Sequence, residues 1–128
     1  SKGNMSSYIS VCGDDFDILS GTVSTLFTAM LEGAKGGVVS LANAFPAICC
    51  ELYDSCKSGD LDKARQLHYL LFKLNRSVSG SFGVAGVKYA MELAGYYGGD
   101  PRLPLLPLTG EGQQSISDSV SKTGLLNE

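Results

Sequence analysis

The chain has 128 residues, 44% hydrophobic and 18% charged, with a formal net charge of −3. A chain this long buries roughly two-thirds of its unfolded surface, so a real core is expected. The mild negative charge gives no electrostatic footprint for DNA, RNA or an acidic membrane. No run approaches the ~18 apolar residues of a membrane span, and no secretory h-region precedes the chain. A cytoplasmic location is therefore expected, with a mitochondrial one as the alternative.

The opening "SKGNMSSYIS" reads as a loop entering a short helix, with Ser1 and Asn4 as caps. "FDILSG" follows, short and apolar at Phe16, Ile18 and Leu19 and closed by Gly21, which predicts a buried strand. "TVSTLFTAMLEGA" places Leu26, Phe27, Met30, Leu31 and Ala34 on one helical face, with Thr22 or Ser24 as N-cap. "GGVVSLAN" is a second short strand, continuous in Val38 and Val39 as strands covered on both faces are. Strand, helix and strand within about 25 residues form a βαβ unit, whose crossover makes the two strands parallel.

"FPAICCELYDSCKSG" predicts a helix with Pro46 in its first turn, where a missing N–H costs little. "DLDKARQLHYLLFKLNRSV" is a stronger one: Asp60 caps it, and Leu61, Ala64, Leu67 or His68, Leu71, Leu74 and Val78 line one side. "GVAGVKYAMELAG" carries Val84, Val87, Met91 and Ala94 at helical spacing and stops at a double glycine. The proline-locked "PRLPLLPL" that follows can be neither helix nor central strand. "TGEGQQSISDSVSKTGLL" closes with a helix whose thin apolar face is Ile116 and Val120.

Two parallel strands cannot cover themselves, because parallel sheets are protected on both faces. The helices thus present amphipathic faces with too little sheet beneath them. The sequence reads as the closing part of a larger α/β domain.

The chemistry-bearing residues say less. The four cysteines, Cys12, Cys49, Cys50 and Cys56, read as buried reduced thiols. Cys49 and Cys50 point about 100° apart on a helix, a poor chelate, and no metal site is expected. The single histidine, His68, sits mid-helix and reads as a packing residue, which removes Ser-His-Asp and Cys-His machinery. Neither "KGG" nor "YYGG" follows a strand and opens a helix as a phosphate cradle requires. Tyr96 and Tyr97 read as packing or interface residues.

The order of "GN", "FDILSG", "EGAKGGVVSLANAFP", "SGDLDKARQL", "GVKYAMELAG" and "PRLPLLPL" resembles the C-terminal part of the dihydrodipicolinate synthase / N-acetylneuraminate lyase family of pyruvate-dependent class I aldolases. These motifs span nearly the whole chain. The resemblance implies an α/β fold: the last two strands of a TIM (β/α)8 barrel plus a C-terminal helical extension. Residues 1–45 would form the last βα units, and residues 46–128 the outer helix, the extension and the proline–leucine strap. Leu103, Leu105, Leu106 and Leu108 would be core contacts, with the strap holding the extension against the barrel. The family's assembly, usually a dimer of dimers, implies a homo-oligomer, a tetramer, that includes the upstream part of the barrel.

The family's mechanism is Schiff-base chemistry: a buried lysine forms an imine with pyruvate or another 2-keto acid, and a tyrosine from an earlier strand moves protons. No separate cofactor is implied. Aligning Ser1 with the serine of the family's G-x-K-D-S-type stretch puts that lysine two residues before Ser1, with Lys2 as a variable position. The substrate contacts carried over are Ser1, Gly21, Val39 and Ser40. Val23, where sialic acid lyases tend to carry an acid, argues against a sialic acid substrate. Dihydrodipicolinate synthases commonly have prolines before the lysine matched by Lys88, where this chain reads "GVAGVK". "FGVAGVK…GYYGGDPRLPL" looks most like aldolases cleaving 4-hydroxy-2-oxoglutarate or a 2-keto-3-deoxy sugar acid to pyruvate and an aldehyde. The alternatives are dihydrodipicolinate synthase itself and a non-catalytic half-barrel interaction protein.

Overall fold

The computed structural model describes residues 4–127, so the expectations for Ser1 and Lys2 lie outside the described residues. Helix α1 (Met5–Cys12) begins at Asn4, which contributes its backbone carbonyl to Tyr8 N–H at 3.0 Å but no side-chain cap. Strand β1 (Leu19–Ser20) and strand β2 (Gly36–Gly37) flank helix α2 (Val23–Glu32). The strands are parallel, as the βαβ reading requires: Leu19 pairs with Gly36 and Ser20 with Gly37. Lys35 N–H to Ile18 O at 2.9 Å and Val38 N–H to Ser20 O at 2.8 Å continue the ladder at either end.

Both strands are shorter than their apolar runs predict. Of "FDILSG" only two residues pair, and Phe16 and Leu19 are exposed while Ser20 is buried. Val38 is 73% exposed, and after Val39 the chain leaves the sheet for a 3₁₀ turn over Ser40–Asn43. The physical reason is coverage. α2 covers the Gly37 face of the pair, while on the other face the Tyr53 ring reaches only the Gly36 end, 3.6 Å from the place a Gly36 Cβ would take, and Leu19 and Val38 stand exposed. The α2 side is tight: a Cβ on Gly37 would stand 3.0 Å from Leu26 Cδ1 and 3.0 Å from Ser20 O.

Helix α3 (Pro46–Ser58) carries proline in its first turn as expected. Helix α4 (Leu61–Asn75) is capped by Asp60, whose Oδ1 accepts from Lys63 N–H at 3.2 Å. Its register continues into a π-helical segment, Arg76–Gly80, then helix α5 (Ser81–Leu93). Helix α6 (Gly110–Ser121), capped by Thr109, closes against α5. One core runs through these elements, with Leu41, Leu52, Leu71, Val78, Ile116 and Val120 fully buried. Each such aliphatic side chain stabilises the fold by roughly 1.5–3 kcal/mol relative to exposure.

Three positions expected on buried helix faces are exposed. Leu31 is 55% exposed because it sits off the stripe formed by Val23, Leu26 and Ala29. Leu61 and Val84 also face solvent. The strap departs furthest from expectation: Leu103 is 82% and Leu106 70% exposed, Leu105 is exposed too, and only Leu108 packs against the core. A segment without a regular face cannot turn four leucines to one side. Its cis Leu103–Pro104 bond and the Leu105 N–H to Arg102 O bond make a local turn instead. Among the thiols Cys49 is buried, but Cys50, about 100° further round α3, is exposed.

Candidate functional site at the sheet edge

Because Val38 N–H pairs with Ser20 O, Gly21 and Val39 leave the sheet at the same, C-terminal edge. In barrels and open α/β sheets this edge is where ligands bind. On the β1 side the exit is fixed by hydroxyls. Thr22 Oγ1 caps α2 by accepting from Ser24 N–H at 3.3 Å, and the buried Ser20 hydroxyl reaches Thr22 O at 3.0 Å and Thr25 Oγ1 at 2.9 Å. Asn75, at the end of α4, donates to Ser24 Oγ at 3.0 Å, locking that helix to the start of α2.

On the β2 side, Val39 is extended and Ser40 opens the 3₁₀ turn. Asn43 Nδ2 donates to Ser40 O at 2.9 Å, and the Ser40 and Ser79 hydroxyls stand 3.4 Å apart. Between this turn, the π-helical segment and α5 lies a groove of about 580 Å³. Ser40, Asn43 and Ser79 supply its polar wall, Val87 and Met91 its apolar wall, and Lys88 and Tyr97 stand along it. Gly83, also in the lining, breaks the helix with φ 58° and ψ −141°. That conformation is open essentially to glycine alone. π-helical segments are frequent at functional sites, and here the widened turn and the break together place Ser79 over Ser40.

The end of α5 shapes the far side of the groove. Lys88 Nζ donates to Gly98 O at 2.7 Å, while Glu92 Oε1 accepts from Gly98 N–H at 2.7 Å and Gly99 N–H at 2.9 Å. Those two backbone donors, Gly99 first, hold the Glu92 carboxyl below its ordinary value. The groove therefore offers hydroxyls, an amide and an ammonium to a small oxygen-rich anion. None of the described residues lining it is a carboxylate or an imidazole; its ionisable side chains are Lys88 and Tyr97.

Of the four expected substrate contacts, Ser40 lines the groove. Val39 precedes it and packs half-buried against the core. Gly21 sits at the same sheet edge with open space around it and does not line the groove, and Ser1 is not described. Sequence reasoning passed over Ser79, Asn43 and the Lys88–Glu92 pair. The i,i+4 spacing of Lys88 and Glu92, followed at once by "YYGG", was the available signal.

Comparison with known proteins agrees with this architecture. The profile of the Dihydrodipicolinate synthetase family matches residues 2–123. A 4-hydroxy-tetrahydrodipicolinate synthase from Rhizobium meliloti is 35% identical over 115 residues, covering 90% of this chain and 39% of the relative. Among solved structures, a dihydrodipicolinate synthase from Bacillus anthracis superposes with a TM-score of 0.84 at 32% identity, covering 91% of this chain and 40% of that one. The KD(P)GA of T. tenax superposes with a TM-score of 0.73 at 31% identity, covering 80% and 37%. The chain thus spans about two fifths of the length of the curated relatives it matches. A profile match over nearly the whole chain, carried by a parallel βαβ unit and the helices that follow it, settles the kinship: the chain belongs to the dihydrodipicolinate synthetase family.

Proposed function

We propose that this chain is the C-terminal segment of a Schiff-base-forming, pyruvate-dependent aldolase. Residues 1–45 are the last βα units of a (β/α)8 barrel, and residues 46–128 the outer helix, helical extension and strap. The observation that carries the reading is the polar groove at the C-terminal edge of a parallel strand pair. The C-terminal edge of the strands is where TIM barrels form their active sites, which supports the reading. Ser40 contacts the keto acid there, with Val39 and Gly21 at the two strand ends, and the family resemblance adds Ser1 as a further contact. The imine-forming lysine and the proton-moving tyrosine belong to the upstream part of the barrel, and the whole assembles as a homo-oligomer. Exposed Val38, Leu19 and Phe16 support this, because the rest of a barrel would cover them.

The reaction is cleavage of 4-hydroxy-2-oxoglutarate or a 2-keto-3-deoxy sugar acid to pyruvate and an aldehyde. The name of the Rhizobium meliloti relative favours a second reading, in which the same pyruvate imine condenses with an aldehyde in the dihydrodipicolinate synthase reaction. The two share the pyruvate half and differ in the partner. Pyruvate release from 4-hydroxy-2-oxoglutarate by the full-length polypeptide, followed through lactate dehydrogenase, separates them. Steady turnover is expected. Turnover only with pyruvate and aspartate semialdehyde would replace cleavage by condensation. No described helix is long and apolar enough to cross a membrane. The relatives named include bacteria and an archaeon, and nothing in them supports the mitochondrial alternative.

A further inference from the structure

The turn after α5 is held more firmly than ending a helix requires. The helix is already closed by backbone bonds, Gly95 N–H to Glu92 O at 3.1 Å and Tyr96 N–H to Met91 O at 2.9 Å, with Gly95 at φ 86°. Such bonds satisfy the last carbonyls without side chains. Beyond them, Lys88 and Glu92, one turn apart on the same face, take hold of opposite ends of one residue. Lys88 holds the Gly98 carbonyl, and Glu92 the Gly98 and Gly99 N–H groups. Both grips are charge-assisted, the stronger class of hydrogen bond. Gly98 is buried so closely on the helix that a Cβ there would stand 2.0 Å from Lys88 O. The turn can lie in this position only with glycine at 98.

The side chain presented by this clasp is Tyr97. It is 87% exposed and lines the groove that Ser40 opens. Its ring folds back over Gly99, with Oη 3.0 Å from the place a Gly99 Cβ would take. Among the described residues its hydroxyl has no hydrogen-bond partner. A phenol on a turn whose next two residues are held by two charged side chains, with its own donor and acceptor both free, is suited to reading an oxygen atom of a ligand.

We propose that Tyr97 is a specificity-determining residue that hydrogen-bonds an oxygen on the aldehyde-derived end of a 2-keto acid, and that Lys88 and Glu92 are the positioning residues that hold it there. The inference rests on the aldolase reading above, which places the pyruvate end at the strand edge beside Ser40. It adds the recognition of the other end. It also gives the Lys88 ammonium a structural duty in place of a nucleophilic one.

The test is steady-state kinetics of the full-length polypeptide with 4-hydroxy-2-oxoglutarate, alongside borohydride trapping of pyruvate. Tyr97→Phe removes one oxygen from an exposed position and leaves folding intact. It is expected to raise KM about three- to tenfold, the range of one lost hydrogen bond, with kcat changed less and pyruvate trapping unaltered. Lys88→Met is expected to raise KM at least as much, and Lys88→Arg, which restores a cationic donor, to recover most of the loss. An unchanged KM for Tyr97→Phe overturns the proposal. So does a Lys88→Met loss that falls on kcat alone, or one that Arg fails to restore. A wild-type protein that traps no pyruvate overturns the aldolase reading as well, and so separates the two failures.

Discussion

Leu41 is the residue on which the β2 side of the groove is built. It follows Ser40 in the 3₁₀ turn, is fully buried, and its carbonyl accepts from both Ala44 N–H at 3.1 Å and Phe45 N–H at 3.0 Å. Leu41→Ala removes three carbons beyond Cβ, about 2.4 kcal/mol at ~0.8 kcal/mol per buried methylene. Val23, Phe45 and the other core residues around it are held by separate elements and close the gap only in part. With the cavity included, the loss should be about 3 kcal/mol, inside the 2–5 kcal/mol span of such truncations. In urea, with m of about 1.5 kcal/mol/M, the midpoint should fall by about 2 M at unchanged m. Leu31→Ala, the same chemistry at an exposed site, should move stability by less than about 0.5 kcal/mol. Equal losses at the two positions, or a Leu41→Ala loss below about 1 kcal/mol, would refute the packing account of the turn.

Other consequences concern titration and thiols. His68 lies among Phe27, Tyr69 and Phe72, with ring centroids 5.1–6.0 Å away, and burial lowers its pKa from 6.5. Its neutral form is favoured in the folded state, so its contribution is complete above about pH 6.5 and lost as pH falls toward the folded value. Urea midpoints at pH 7.5 and 5.5 should therefore differ, and His68→Leu should narrow the gap; a gap of unaltered size would remove His68 as its source. Glu92, depressed from 4.5 by the Gly99 and Gly98 N–H groups, keeps its hold on the turn until pH drops through that lowered value. The Gly98 and Gly99 amide resonances should shift together with an inflection below pH 4.5, and an inflection above it would contradict the clasp. The Cys49 thiol, raised to about 11 chiefly by burial and then by Cys50, should resist maleimide at pH 8 while exposed Cys50 reacts. Equal rates would mean that α3 is not packed as described.

How much of this was legible in the sequence follows from the range of each interaction. The helices were readable because their signals are local: Thr22, Asp60 and Thr109 cap the helices they precede, and Ile116 and Val120 mark a narrow stripe that is fully buried. The parallel pairing of β1 and β2 followed from the crossover length alone. Strand extent did not, because Val38 and Leu19 signal burial through their side chains, while the ladder depends on neighbours that only tertiary structure supplies. The strap misled for a related reason: leucines between prolines look like core residues, yet without a period they share no face. Ser40, which lines the groove, was named through family resemblance. Ser79 and Lys88 were not, because their place in the groove depends on the π-helical turn and on the Gly83 break, neither of which has a pattern in residue spacing.

Borohydride reduction of the full-length polypeptide with pyruvate, followed by peptide mapping, tests the central claim most directly. The account predicts a pyruvyl adduct on a lysine outside residues 1–128, with Lys88 unmodified because its ammonium is engaged with Gly98 O. An adduct on Lys2, on Lys88 or on any other lysine of this chain would contradict it, and would move the imine chemistry into the segment described as its binding wall.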